Sequence, residues 1–519
     1  MNPVAQPTFQ REAVEPLILP DDEHNRILVH NTHPLDWVNP DPRGRYNLVV
    51  IGAGTAGLTA AAGCATVGGR VALIERHMAG GDCLVAGCVP SKGLISSARV
   101  AAHVLHHAAE YGVRVPPGAV VDFGAVMARM RRLRARISPT DSVHHLKELG
   151  VDVFLGEARF VCRDAVEVAG RRLSFARALI ATGGRAEIPP IPGLKETGFL
   201  TNETVFQLTE LPARLAIIGG GPIGCEMAQT FRRFGSQVTL IHNAGHILNR
   251  EDADAADLVQ RTFLREGITL LLGANTVRAE ARHGAKLLVV ERGGQSVEVA
   301  CDAILASAGR VPNIEGLNLE AAGVTSNKFG VLVNDQLGTS NPRIYAAGDV
   351  CAPFKFTHTA NVLGRMAMMN ALFPFKLGGR MSRLIIPWCT YTDPEIAHVG
   401  LYEPQAKEKG YQVTTLTVPL AENDRAILDG EDEGFVRVHL KAGTDQILGA
   451  TVVAAHAGDL LTYFTLAMGA GKGLSTLAGP IYPYPTQSEA IKKLVGVYLQ
   501  TKLTPTVKRL LGTLLAWQR

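Results

Sequence analysis

The sequence predicts an α/β protein with two Rossmann-like dinucleotide-binding domains and a C-terminal α+β domain. Three observations carry this reading. An apolar strand runs into a Gly-x-Gly-x-x-Gly turn and an Ala-rich helix from residue 46. The same unit recurs from residue 215. A mixed segment without a glycine fingerprint follows from about residue 385. At 519 residues the chain exceeds one compact core, and 46% hydrophobic with 19% charged residues is an ordinary α/β composition. The formal charge of +4 is small, and no basic stripe is interleaved with aromatics, so no nucleic-acid partner is expected.

In chain order, residues 1–45 read as an N-terminal extension, punctuated by Pro3, Pro7, Pro16, Pro20, Pro34, Pro40 and Pro42. Its stretch 21–42 has apolar content suited to packing on the body. The pattern of a secretory signal is missing, and no apolar run is long enough to span a membrane, so a cytoplasmic location is expected. Tyr46-Asn47-Leu48-Val49-Val50-Ile51 is a strand leading into Gly52, Gly54 and Gly57. The next strand ends at Glu75. In the second copy the strand leads into Gly219, Gly221 and Gly224, and the following strand ends near His242.

The glycines permit a tight turn and close approach of pyrophosphate to a helix N-terminus, whose free N–H groups and positive dipole end bind it. A ribose-binding acid is expected at the end of the second strand. Eighteen positions beyond Gly57 stands Glu75, and the same step from Gly224 lands on His242. The missing acid removes a charge that would repel a 2′-phosphate. With Arg232, Arg233 and Arg250 nearby in sequence, it tilts the second site towards NADPH, with NADH possible.

Beyond Glu75 lies Gly80-Gly81-Asp82-Cys83-Leu84-Val85-Ala86-Gly87-Cys88-Val89-Pro90-Ser91-Lys92. Pro90 suits a first helical turn, so Cys88 sits near a helix N-terminus that favours a thiolate. Two thiols this close suit disulfide exchange. Structural zinc and idle thiols are the alternatives. Zinc would need two more ligands, and His103 lies about 20 Å along a straight helix from Cys88.

This segment resembles the redox-disulfide motif of the class I pyridine nucleotide–disulfide oxidoreductases, G-G-T-C-x-N-x-G-C-V-P-S/K-K. It matches at both glycines, both cysteines, Gly87, Val89, Pro90 and Lys92, and departs at Asp82 and Val85. Further resemblances run in family order: Ala181-Thr182-Gly183, Gly309-Arg310-Val311-Pro312-Asn313, Tyr345-Ala346-Ala347-Gly348-Asp349 and Thr357-His358-Thr359-Ala360. The resemblance covers about residues 46 to 500. It implies FAD at the first fingerprint and NAD(P)H at the second. The implied domains are FAD-binding over 46–200 and 326–384, NAD(P)-binding over 201–325, a dimerisation domain over 385–503 and a tail over 504–519. Asp349 would bind the ribityl chain, with His358 and Ala360 beside the flavin. No resident metal is implied. Hydride would pass from NAD(P)H through the flavin to the disulfide. Cys88 would be the thiol nearest the flavin, Cys83 the interchange thiol, and Lys92 with Glu226 an ion pair.

Where family disulfide reductases use a His-Pro…Glu element from the partner subunit, this chain has Tyr484-Pro485 and Glu489. Tyr484 and Glu489 would act across a homodimer. A tyrosine titrates too high to shuttle a thiol proton readily near neutrality. Tyr at this place resembles the mercuric reductases, whose substrate is a soft metal ion. Those proteins also carry a terminal vicinal Cys pair and an N-terminal C-x-x-C module. Here the last cysteine is Cys389, expected to be a buried thiol.

The leading expectation is NAD(P)H-dependent reduction of a soft metal ion such as mercury(II). The alternatives are reduction of an unidentified disulfide or quinone, and a flavin-based sensor or membrane-associated binding protein. The Leu-rich tail suits an amphipathic helix touching a membrane or the partner subunit, with packing on its own body the favoured expectation.

Overall fold

The computed structural model describes residues 17–282, 284–373 and 377–519. The first unit is a parallel sheet in the order Asp152–Leu155, Val71–Glu75, Tyr46–Ile51, Arg171–Ile180, Ile344–Ala346. Its central strand is apolar from Leu48 to Ile51 because helices and loops cover both faces: Leu48, Val49 and Val50 are fully buried. The strand Arg171–Ile180 serves two sheets. Its first half pairs antiparallel with Ala165–Val168 and its second half parallel with Tyr46–Ile51.

The strand Ile344–Ala346 returns to this sheet from far along the chain. The second unit lies between. Its parallel sheet runs Thr269–Leu272, Gln237–His242, Arg214–Ile218, Ala303–Ala306, accompanied by an antiparallel sheet of Ala274–Arg282, Ala285–Arg292 and Gln295–Cys301. The third unit is an antiparallel sheet in the order Pro387–Thr390, Glu395–Gly400, Ile447–Ala454, Phe435–Lys441, Val413–Pro419. The helices Ala457–Gly469 and Glu489–Lys502 share a core with it through Phe464, Leu494, Val436 and Val452.

One apolar cluster joins the three units. Leu94 and Ile95 meet Phe123, Phe231 and Phe234, and reach Ile396 and Val453. The site therefore sits on a common core rather than on a loose seam.

The N-terminal extension does pack on the body. Asp22 caps the helix Glu23–Thr32 by accepting from the Asn25 N–H at 2.8 Å. Leu28 is fully buried against Met78, Leu84 and Val85. Residues 1–16 of the extension lie outside the described residues.

The tail departs from expectation. Residues 505–517 form a helix, Pro505–Trp517, but none of its residues is buried, so it does not pack on the described residues of its own body. Pro505 in the first turn and Thr504 as N-cap start it, and none of its leucines is buried among the described residues.

Candidate functional site: two dinucleotide cradles joined by a thiol pair

In the first cradle, Gly52 turns the chain at φ +102°, and a Cβ there would lie 2.4 Å from the Ala181 carbonyl oxygen. A Cβ on Gly57 would lie 1.8 Å from the Gly52 oxygen, so only glycine lets the helix Thr55–Thr66 approach the strand. Gly54 differs, with no atom within 4 Å of a Cβ. The first intrahelical bond is Leu58 N–H to Gly54 oxygen, which leaves the N–H groups of Thr55, Ala56 and Gly57 free of intrahelical partners. This open N-terminus fits a dinucleotide pyrophosphate. Glu75 is held at the strand end, its carboxylate accepting from the N–H groups of Ala53 at 2.6 Å and His77 at 2.7 Å.

Gly81 packs on Gly54, and Gly348 lies against Ala56 and Ala360, so the late segments close on the first fingerprint. Thr182 Oγ1 donates to the Asn313 oxygen at 2.6 Å, and the Asn313 N–H donates to the Gly183 oxygen at 3.0 Å. Gly309 at φ +154° abuts Glu187. Next in the chain, Arg310 bridges two carboxylates: Nη2 donates to Asp82 Oδ2 at 2.6 Å, and Nε lies 3.3 Å from Asp349 Oδ2. Burial raises the Asp349 carboxyl above its ordinary range, opposed first by Arg310. Asp82, which replaces the family's threonine, therefore shares a cation with Asp349. His358 Nε2 bonds the Pro387 oxygen at 2.7 Å and its ring stacks on Phe356 at 5.4 Å. The Thr359 hydroxyl is buried without a protein partner, a polar atom left for a ligand.

Cys83 lies within a short helix, Gly81–Val85, which a long one, Cys88–Ala102, follows. Cys88 is the first residue of the long helix, with Gly87 at its N-cap. Both cysteines are free thiols in this structure. Cys88 Sγ lies 3.3 Å from Thr357 Oγ1. Its pKa falls from 9.0 to about 6, first through the hydrogen bond from Cys83 and with help from Thr357 and Lys92, against burial. Cys83 moves upward, first because it donates to Cys88 and then through burial. The pair thus holds one proton near neutrality, on Cys83.

Lys92 Nζ donates to Glu226 Oε2 at 2.8 Å, and Glu226 Oε1 accepts from the Tyr391 N–H at 3.0 Å. Nζ also lies 4.4 Å from the centre of the Tyr391 ring. One ion pair therefore ties the thiol helix to the helix Pro222–Phe234 and to the third unit. Tyr391 escaped the sequence reading, because nothing local to it marks a capping N–H. Thr357 was visible only as part of a motif, not as a thiolate partner.

In the second cradle Gly219 turns at φ +113° against the Ser307 oxygen, a Cβ on Gly224 would lie 1.9 Å from the Gly219 oxygen, and Gly221 is open. His242 Nδ1 accepts from the Gly220 N–H at 3.2 Å. Burial, then His246, lowers its pKa, so the ring is neutral near pH 7 with its proton on Nε2. That Nε2 is buried without a protein partner, a fit for a ligand oxygen. Two of the three nearby arginines are committed elsewhere. Arg232 donates to the Glu266 and Ser236 carbonyls. Arg233 is buried and paired with Glu266 at 2.6 Å and Asp393 at 2.9 Å. Only Arg250 of the three is exposed, on a loop tied back to the turn by Leu248 N–H to Gly220 oxygen at 2.8 Å.

Tyr484 is 71% exposed and donates to Asp424 Oδ2 at 3.1 Å, which raises its phenol above the ordinary value. Glu489 opens the helix Glu489–Lys502. Among the described residues no hydrogen bond or ion pair links either to the thiols of the same chain. Cys389 Sγ donates to Glu395 Oε2 at 3.7 Å, and burial pushes its pKa up, leaving it a protonated thiol.

Comparison with known proteins agrees with this architecture. Residues 46–367 match the family model described as pyridine nucleotide-disulphide oxidoreductase, and residues 386–495 match its dimerisation domain. The chain is 34% identical over 450 residues to a mercuric reductase of Staphylococcus aureus, covering 86% of this chain and 82% of that one. It is 36% identical over 468 residues to a dihydrolipoyl dehydrogenase of Thermus scotoductus, covering 86% and 96%. The HOCl-induced flavoprotein disulfide reductase RclA of Escherichia coli superposes with a TM-score of 0.78 at 29% identity, over 87% of this chain and 99% of that one. With both cradles, the thiol segment and the dimerisation unit in one order, the chain belongs to the class I pyridine nucleotide–disulfide oxidoreductases, FAD- and NAD(P)H-dependent enzymes that work as homodimers.

Proposed function

We propose that this oxidoreductase reduces a soft metal ion, mercury(II) in the first place, with NADPH as donor and Cys83 and Cys88 as the reacting sulfurs. The observation that carries the reading is the proton-holding state of Tyr484. Its phenol is raised by Asp424, so it does not take up a thiol proton near neutrality, whereas metal reduction needs no general base to release a thiol product. The mercuric reductases among the relatives support the same choice.

Bound FAD supplies the two-electron relay between nicotinamide and sulfur. The chain's own residues do the rest. Cys88 holds a thiolate next to Lys92, a soft anionic ligand at neutral pH. Cys83 keeps its proton until a metal ion displaces it. Lys92, fixed by Glu226, balances the thiolate charge. Overall, NADPH and Hg²⁺ give NADP⁺, Hg⁰ and H⁺: the hydride's two electrons reduce the metal and its proton is released. RclA has been captured as a Cu(II) complex, so copper(II), taking one electron per ion, is the second metal to try. NADPH oxidation that depends on mercury(II) in excess thiol, and that is lost in both Cys83→Ser and Cys88→Ser, supports the proposal. Turnover of a disulfide but not of metal overturns it.

Disulfide reduction is the second reading, favoured by the dihydrolipoyl dehydrogenase relatives and by Glu489 at the expected place. For the nicotinamide, NADPH is proposed on Arg250 and on His242 in place of an acid.

A further inference from the structure

The apolar side chains of the helix Pro505–Trp517 are not scattered. Val507, Leu510, Leu511, Leu514 and Trp517 recur at three- and four-residue steps and share one face, with Leu515 at its edge. Leu510 is 64%, Leu514 52% and Trp517 91% exposed. Arg509, Gly512, Thr513 and Ala516 occupy the opposite face, with Lys508 at the border.

Charge selects the occupant. From residue 490 to residue 519 the sequence carries Lys492, Lys493, Lys502, Lys508, Arg509 and Arg519, and no acid. The family's dimerisation unit ends at residue 495, before this helix begins. A second copy docking here would bring the same basic segment and no acid from it. An acidic lipid headgroup layer offers both the negative charge and an apolar bed beneath it. Thirteen residues span about 20 Å, short of the ~30 Å hydrocarbon core. No helix among the described residues is long and apolar enough to cross a membrane. The geometry therefore suits a helix lying in the interface plane, with Trp517 at headgroup depth.

We propose that Pro505–Trp517 binds the surface of an anionic lipid bilayer and holds the reductase there. The test is co-sedimentation of the full-length, flavin-loaded dimer with mixed phosphatidylglycerol–phosphatidylcholine vesicles and with phosphatidylcholine alone. The expected result is partition to the mixed vesicles. About a ten-fold loss or more is expected in Leu510→Glu with Leu514→Glu, and a lost preference for anionic lipid in Lys508→Glu with Arg509→Glu. A chain ending at residue 503 behaves like the leucine variant and keeps its flavin spectrum and dimer mass. Three results overturn the proposal: a wild-type protein that stays in the supernatant, a leucine variant that partitions like wild type, or a leucine variant that becomes monomeric by light scattering, which assigns the helix to the second copy.

Discussion

The sharpest residue-scale prediction concerns Cys88. Its pKa is lowered, so its thiolate contributes stability that is fully present above the ordinary thiol range and is lost as pH falls through about 6. Alkylation of the reduced enzyme by iodoacetamide should follow the same curve, with a midpoint near pH 6, and Lys92→Met should move that midpoint upward. A Cys88 midpoint near the ordinary thiol value would remove the thiolate from the account. Tyr484→His should gain thiol–disulfide activity, by about ten-fold or more, because an imidazole titrates where the reaction needs it. No gain, with mercury turnover intact, would show that Tyr484 does not set the acceptor. The sequence made these residues legible because their chemistry is local: two sulfurs, a helix start and a lysine one turn on. It did not make Thr357 or Tyr391 legible as partners of Cys88 and Glu226. Those contacts join segments 269 and 165 positions apart and use a hydroxyl and a backbone N–H.

At the scale of elements, each glycine turn is held by backbone contact rather than by the ligand. Gly57→Ala and Gly224→Ala each push a methyl group onto a carbonyl oxygen, at a cost of about 3 kcal/mol or more. The first should lose FAD. The second should retain FAD and lose reduction by NADPH, as measured by flavin absorbance before and after the nucleotide. The Arg310 bridge is a second element-scale device. Removing it in Arg310→Ala leaves Asp82 and Asp349 without their shared cation. Because Asp82 is partly exposed, the expected cost is only about 1–2 kcal/mol, seen as roughly ten-fold weaker FAD retention. The departure at Asp82 was plain in the sequence, but its compensation was not, because Arg310 stands in a different motif. The N-terminal helix is similar. Proline content and weak periodicity concealed that Leu28 braces Leu84 and Val85, next to Cys83. Leu28→Ala should destabilise by about 2–4 kcal/mol in thermal unfolding.

For the molecule as a whole, the order of units was legible because strand, glycine turn and helix recur with an intervening return strand, and a sheet cannot be completed without that return. The position of Tyr484 relative to the thiols was not legible from one chain, and among the described residues no hydrogen bond or ion pair joins them within one chain. Nicotinamide choice is also a whole-domain property: Arg232 and Arg233 look available in sequence and are spent on Glu266, Asp393 and backbone carbonyls. Arg250→Ala should therefore raise the KM for NADPH several-fold more than that for NADH. Equal effects would take Arg250 out of the cradle. The central claim is that the Cys83–Cys88 pair exchanges electrons with the flavin. Anaerobic titration of the purified dimer with NADPH, followed in the visible spectrum, tests it most directly. The account predicts a long-wavelength thiolate-to-flavin band that is absent from Cys88→Ser. Flavin that bleaches without such a band in the wild type, or a band that survives in Cys88→Ser, would contradict it.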